Sequence, residues 1–304
     1  MSKIIKTFIS LFILVGALYF LDVAEIINQL KNINISTIVG GVLLLLIGYI
    51  FIALRWKNLI EEYVKPSHFE NIALFFYTNF YNSFSPANLG GDAFRVMVFR
   101  KKISYKNIFI LLIQERAIGL IAYLMCFLIG ASCLFLQLTP ILISCFVLAL
   151  LFFGLLFLLY FLVPFLKQFL KFKILKDLAE AFSKTMDLLL SKKSPLLFFY
   201  TILTIILWVL VVAFVAQGLE IKLTIFHFLI IATLGEIIRM IPISFQGIGV
   251  REAVFAFLLS QFGYGYEQGF SLGLISYLLI SLSLLICGFI AFIMSFKNPK
   301  IKHS

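Results

Sequence analysis

Charge is scarce in this 304-residue chain: Asp, Glu, Lys and Arg together make up 13% of it, against roughly a quarter in a soluble domain. That scarcity excludes an ordinary soluble globule, a disordered chain and any long soluble catalytic domain. Histidine is nearly absent. His68, His227 and His303 are scattered and form no metal cluster, so no metal is expected. The four cysteines, Cys126, Cys133, Cys145 and Cys287, all lie inside apolar runs. They lack metal spacing and exposed loop positions, and they read as packing residues rather than a disulfide framework. There is no Walker loop, no G-x-S-x-G and no aspartate pair of the metal-binding glycosyltransferase kind. The reading leans away from an enzyme, with no catalytic residue and no cofactor assigned.

What is present is apolar bulk. Hydrophobic residues reach 62%, and the mean hydropathy is +1.10. The apolar runs are continuous, such as residues 141–163, whereas a membrane barrel would need alternating strands of about ten residues. At about 20 residues per traverse, the chain is an all-α polytopic integral membrane protein. The net charge of +11 collects between the apolar runs. It is therefore a topology signal and an anionic-lipid contact, and no nucleic-acid partner is expected.

The expected architecture is a single membrane domain, 1–304, with about six full transmembrane helices and two re-entrant broken-helix hairpins in an inverted repeat. Lys3 and Lys6 precede an apolar run without a clean cleavage site, which predicts an uncleaved first span over 4–21 from a cytoplasmic N-terminus. The first span and outer loop occupy 1–34. Residues 35–136 form a first repeat: a span ending at the inside markers Arg55, Trp56 and Lys57, a hairpin near 71–102, and a third span. A linking span and a segment rich in lysine fill 139–193. There Leu175, Leu178, Phe182, Met186 and Leu189 recur at helical spacing, as in an amphipathic helix on the cytoplasmic leaflet or a solvated connector. Residues 196–295 form a second repeat with a hairpin near 224–262. Lys297, Lys300 and Lys302 place the C-terminus in the cytoplasm. Paired Gly/Pro-interrupted segments in matching positions of two halves mark an inverted-repeat transporter.

Eight ionisable residues lie in or beside the apolar segments: Asp92, Arg95, Glu115, Arg116, Glu236, Arg239, Arg251 and Glu252. A charge at membrane depth costs a few kcal/mol even on the lenient insertion scale, so each needs a partner or a task. Asp92/Arg95 and Glu236/Arg239 are three apart with the acid first, the favourable order on a helix. Glu115/Arg116 and Arg251/Glu252 are adjacent, so their side chains diverge toward other helices. One reading is that all eight neutralise one another and fix the packing. The functional reading makes Arg95, Arg116, Arg239 and Arg251 binders of a lipid phosphate, with Asp92, Glu115, Glu236 and Glu252 as their charge partners. Pro86, Asn88, Gly90, Gly91, Pro242, Ser244, Gly247 and Gly249 would shape the hairpin backbone. The free amides of the two helix starts would favour an anion, and glycine would let a headgroup approach. Asn79, Asn82, Ser83, Ser85 and Asn88 could satisfy the broken backbone or line a headgroup path.

Three blocks carry a family resemblance: Ser85-Pro86-Ala87-Asn88-Leu89-Gly90-Gly91-Asp92-Ala93-Phe94-Arg95, then Gln114-Glu115-Arg116-Ala117-Ile118-Gly119-Leu120, then Ile241-Pro242-Ile243-Ser244-Phe245-Gln246-Gly247-Ile248-Gly249-Val250-Arg251-Glu252. In this order they resemble the flippase-like transmembrane region of the bacterial lysylphosphatidylglycerol synthases. The resemblance implies a membrane domain that moves an anionic lipid between leaflets, in a stand-alone form without the cytosolic aminoacyltransferase domain; lysyl transfer is not expected. The function expected is a lipid flippase-like protein that translocates or binds an anionic phospholipid or a polyprenyl-phosphate glycolipid. The open alternatives are a membrane transferase on a polyprenyl-phosphate and a non-catalytic membrane partner of a separate lipid synthase or glycosyltransferase. The expected location is the cell membrane, multi-pass, with homo-oligomerisation left open.

Overall fold

The computed structural model describes residues 26–28, 31, 33–83, 85, 89–167, 173–240 and 249–297. The predicted span at 4–21 lies outside them, as do Pro86, Asn88, Pro242, Ser244 and Gly247. Everything described is helix or connector, with no strand among the described residues. In chain order the helices are α1 (Ile35–Ile60), α2 (His68–Asn82), α3 (Leu89–Phe99), α4 (Tyr105–Cys133), α5 (Pro140–Lys167), α6 (Lys173–Leu189), α7 (Ser194–Gly218), α8 (Ile225–Arg239), α9 (Val250–Gln261) and α10 (Tyr266–Lys297).

Five helices are long and apolar enough to cross a bilayer: α1, α4, α5, α7 and α10. The other short apolar helices come in two pairs. At 1.5 Å per residue α2, α3, α8 and α9 reach only about 16–23 Å, short of a core about 30 Å thick. Within each pair the helices fold back on one another. Phe94 of α3 stacks on Tyr81 and reaches Tyr77 of α2, and Arg251 of α9 meets Glu236 of α8. The first pair begins at His68, three residues before the expected hairpin start near 71. A capping box sets that start: Ser67 Oγ accepts from the Glu70 amide at 3.2 Å, and Glu70 Oε2 accepts from the Ser67 amide at 3.0 Å.

The packing is reciprocal. The leading helix of the first pair, α2, packs on α10, and the leading helix of the second, α8, packs on α4; α1 packs along α7. The leading helix of each pair thus packs on the span that follows the other pair, while α9 packs along α10. Small residues allow the closest approaches. A Cβ on Gly269 of α10 would lie 2.5 Å from the Ala256 Cα, and one on Gly273 would lie 2.7 Å from the Glu252 Cα, so α9 and α10 touch backbone to backbone. One apolar core runs through α4, α7 and α8 around Phe127, Val211, Val212, Val215, Ile230 and Ile231. A second surrounds Trp56, Phe75, Phe99 and Ile108. α5 leaves Leu148, Leu151, Phe157 and Phe161 exposed, as expected of a lipid-facing span. Of the cysteines read as packing residues, Cys126 and Cys287 are buried and Cys145 is partly so. Cys133, at the end of α4, is exposed.

The amphipathic segment is a helix, α6, docked on α4 and α5. Its predicted apolar stripe divides: Phe182, Met186 and Leu189 are half-buried, Leu175 and Leu178 stay exposed, and the buried positions are Ala181 and Thr185 beside it. Ion pairs fasten it instead. Lys106 reaches Asp177 at 2.9 Å and Glu180 at 2.7 Å, Lys184 holds Glu180 at 3.1 Å, and Gln114 Nε2 donates to the Lys184 carbonyl. The two lysines pull the Glu180 carboxyl down to about 2. A depressed carboxylate contributes stability above its ordinary value near 4.3, and that contribution is lost as pH falls through the folded value. Amide exchange protection over 173–189 should therefore hold from pH 7 to about pH 4.3 and decline toward about pH 2. Because the pairs are exposed, it should weaken in high salt at any pH.

Candidate functional site

The break between α2 and α3 is closed by side chains of the polar cluster. Ser85 Oγ accepts from the Gly90 amide at 2.6 Å, and Asn82 Oδ1 accepts from the Gly91 amide at 2.8 Å. These amides are the unpaired donors of a helix start, and they are satisfied from within. The expectation that Gly90 and Gly91 offer free amides to an anion is thus corrected. Their glycine character serves packing: a Cβ on Gly91 would stand 2.5 Å from Asn82 Oδ1 and 2.7 Å from the Thr78 carbonyl oxygen, and one on Gly90 would strike the Tyr81 carbonyl. Gly91→Ala should cost about 1–3 kcal/mol, the range for overpacking, and lower the detergent-solubilised melting temperature. At the second break, Gly249 caps α9 with φ +79°, a conformation that disfavours any residue with a Cβ.

Seven of the eight expected ionisable residues line one cavity of about 240 Å³, enclosed by α1, both hairpins, α4, α7 and α10. On the side of the first hairpin they form a continuous chain of ion pairs. Arg116 reaches one Asp92 oxygen at 2.5 Å, and Arg95 holds the other at 2.5 Å. Arg95 also pairs with Glu115, whose second oxygen takes Arg55 at 3.3 Å. Arg55 continues to Thr201 Oγ1 of α7 at 3.0 Å. Arg95 sits 4.3 Å from the centre of the Trp56 ring. On the side of the second hairpin, Arg239 grips Glu236 Oε2 through two nitrogens at 2.8 and 2.5 Å. Arg251 touches Glu236 Oε1 at 3.4 Å and lies 5.7 Å from the Trp208 ring. Each of the chain's two tryptophans thus sits on the span before a hairpin and faces that hairpin's arginine.

The intrahelical pairs Asp92/Arg95 and Glu236/Arg239 form as their spacing predicts, and Glu115 and Arg116 diverge to different partners. Glu252 does not join the network. It is fully buried and absent from the cavity wall, and it forms no salt bridge among the described residues. Arg251 is 2% exposed, and its Nε and Nη1 meet no acceptor among the described residues. Arg55 was missed by sequence reading, where it served as an inside marker at a span end. Its signal was the apolar pattern continuing through Leu59 and Ile60, which extends α1 a further turn and puts Arg55 within the buried part.

Among the described residues five arginines therefore face three carboxylates across one cavity: Arg55, Arg95, Arg116, Arg239 and Arg251 against Asp92, Glu115 and Glu236. The wall carries excess positive charge, and the least-compensated cation is the most deeply buried. Such a site suits an anion that brings its own charge to the low-dielectric interior. No group of His, Cys, Asp and Glu among the described residues could hold a metal ion. In comparison with known proteins, the family described as the lysylphosphatidylglycerol synthase TM region matches residues 4–292. No curated protein and no solved structure matches the chain.

Proposed function

Because this chain belongs to the lysylphosphatidylglycerol synthase transmembrane-region family, and so to membrane proteins of lipid handling, we propose that it translocates an anionic lipid between leaflets, with the headgroup phosphate held in the central cavity. The observation that carries this reading is the excess positive charge: among the described residues five arginines face three carboxylates, and two Arg251 nitrogens have no acceptor at 2% exposure. A phosphodiester would bring the negative charge and the acceptor oxygens that the cavity wall lacks. The three cavity carboxylates hold the remaining arginines in place, so the wall is preorganised rather than collapsed onto the anion.

The two hairpins are the moving parts of this reading. Their reciprocal packing on α10 and α4, and the matched Trp–Arg pairs, support an inverted repeat in which each hairpin re-enters from one side of the membrane. Rocking one half against the other would then expose the same arginines to each leaflet in turn. The lipid is an anionic phospholipid or a polyprenyl-phosphate glycolipid, which share the phosphate that the cavity recognises.

The test is leaflet exchange of fluorescent anionic, zwitterionic and sugar-phosphate lipids in liposomes holding the purified protein, beside the Arg95→Ala/Arg251→Ala double variant. Exchange of anionic lipids should exceed that of the zwitterionic one and vanish in the double variant. Equal exchange of all headgroups, or a double variant as fast as the wild type, would reject the site.

A further inference from the structure

Glu252 is the buried acid that the ion pairs leave out. It is 0% exposed and lies in the first turn of α9. α10 seals it there: a Cβ on Gly273 would stand 2.7 Å from the Glu252 Cα. The ionisable groups of the helices packed against it are engaged elsewhere or far along. Arg251, next to it on α9, touches Glu236; Glu236 and Arg239 of α8 hold one another; His227 of α8 meets Thr224. On α10, Tyr277 lines the central cavity, Cys287 packs with Phe76 of α2, and Lys297 ends the helix. Tyr266 and Glu267 begin α10, about 9 Å or more along it from Gly273. The amides of a helix start favour an anion, but by only a fraction of what it costs to take a carboxylate out of water without a cation. Burial wins, and Glu252 is held as the neutral acid. A polar step lies beside it. Ser276, one turn on from Gly273 along the same face of α10, is 0% exposed, and its hydroxyl has no partner among the described residues.

We propose that Glu252 is a proton-binding site, loaded while α9 lies against α10 and emptied when the second hairpin moves, so that a proton accompanies each lipid across the membrane. In the step itself the O–H bond of the acid breaks, its electron pair stays on the carboxylate, and the proton passes by Ser276 to water in the cavity. The carboxylate then neighbours Arg251, whose Nε and Nη1 have no acceptor among the described residues, and balances its charge while the cavity is empty. A bound phosphate supplies that negative charge instead, and Glu252 takes a proton back. Anion and proton thus favour each other's binding, as linkage requires, and they travel in the same direction. The coupling to a lipid rests on the translocase reading; the proton on Glu252 does not.

Infrared difference spectroscopy of the purified full chain, wild type minus Glu252→Gln, tests the proton without any transport. At neutral pH it should show the carbonyl stretch of a protonated carboxylic acid, displaced in heavy water. A carboxylate band in its place overturns the site. Proteoliposomes holding fluorescent phosphatidylglycerol and a pH difference across the membrane test the coupling. With one proton per lipid, a difference of about one pH unit should drive about a tenfold ratio of the lipid between leaflets, enriched on the alkaline side. Glu252→Gln, which has no acidic proton to release, should lose the enrichment, and Glu252→Asp, which keeps an acid, should retain it. The Glu252→Gln melting temperature in detergent shows whether the loss is one of folding, and the Glu252→Asp variant then decides. Enrichment that survives in Glu252→Gln, or an even distribution in a wild type that exchanges lipid, overturns the coupling. If the wild type exchanges no lipid while the acid band is present, the translocase reading fails and the proton site stands.

Discussion

Arg251→Met should abolish the anionic preference of lipid exchange while leaving the protein folded. Its single long contact to Glu236 is replaceable, because Glu236 keeps both bonds from Arg239. Its Nε and Nη1 have no partner to lose. Glu236 stays paired with Arg239, so the hydrocarbon strands no carboxylate there and removes the desolvation cost of a poorly paired buried cation. A charge-assisted hydrogen bond to a bound phosphate contributes about 1.5–3 kcal/mol, so exchange of anionic lipid should fall about 10- to 100-fold. The melting temperature in detergent should be unchanged or higher. Arg95 gives the contrast. It is bonded to two carboxylates and stacked on Trp56, so Arg95→Met should damage folding and exchange together. If Arg251→Met instead unfolds the protein with exchange per folded molecule intact, Arg251 is a packing residue and the anion site is elsewhere.

Glu115→Gln carries the largest expected stability loss. One buried carboxylate compensates two buried arginines, Arg55 on α1 and Arg95 on α3, and through Arg55 it ties both to Thr201 on α7. The amide keeps the shape and removes the charge, which leaves two guanidinium groups under-compensated at membrane depth. Breaking a buried pair by removing one partner costs about 3–5 kcal/mol. Equilibrium unfolding in mixed micelles measures it. Arg55→Met in the Glu115→Gln background should recover part of the loss, and the double-mutant cycle should show coupling well above the additivity error of about 0.5 kcal/mol. Additive losses would mean that the two side chains are independently solvated and that the network does not hold the halves together.

Several elements were legible because hydropathy and charge act over short stretches of chain. The long apolar helices α1, α4, α5, α7 and α10 follow from run length, and the two interrupted segments follow from glycine, proline and flanking charge. The pairs Asp92/Arg95 and Glu236/Arg239 follow from helical spacing alone. Other features were out of reach of local rules. Arg55 is chemically identical to a flanking arginine, and only the meeting of α1, α4 and α7 makes it a buried partner of Glu115. Gly90 and Gly91 carry the signature of an anion cradle, yet Asn82 and Ser85 occupy their amides because the hairpin folds back tightly. Glu252 shares a turn with Arg251 but points away from the cavity, between helices that meet at Gly273.

The sequence by itself determined that this is a helical membrane protein, that its first short apolar segment breaks before Gly90, and seven of the charges that line its cavity. Each of those is a transfer or spacing property of a contiguous segment. Only the tertiary structure decided which charges compensate one another, because ion pairing falls off within a few ångströms and depends on which helices are neighbours. It gathered seven of the eight expected groups and Arg55 around one cavity, left Arg251 under-compensated and Glu252 outside, and set Trp56 and Trp208 beside the two hairpin arginines.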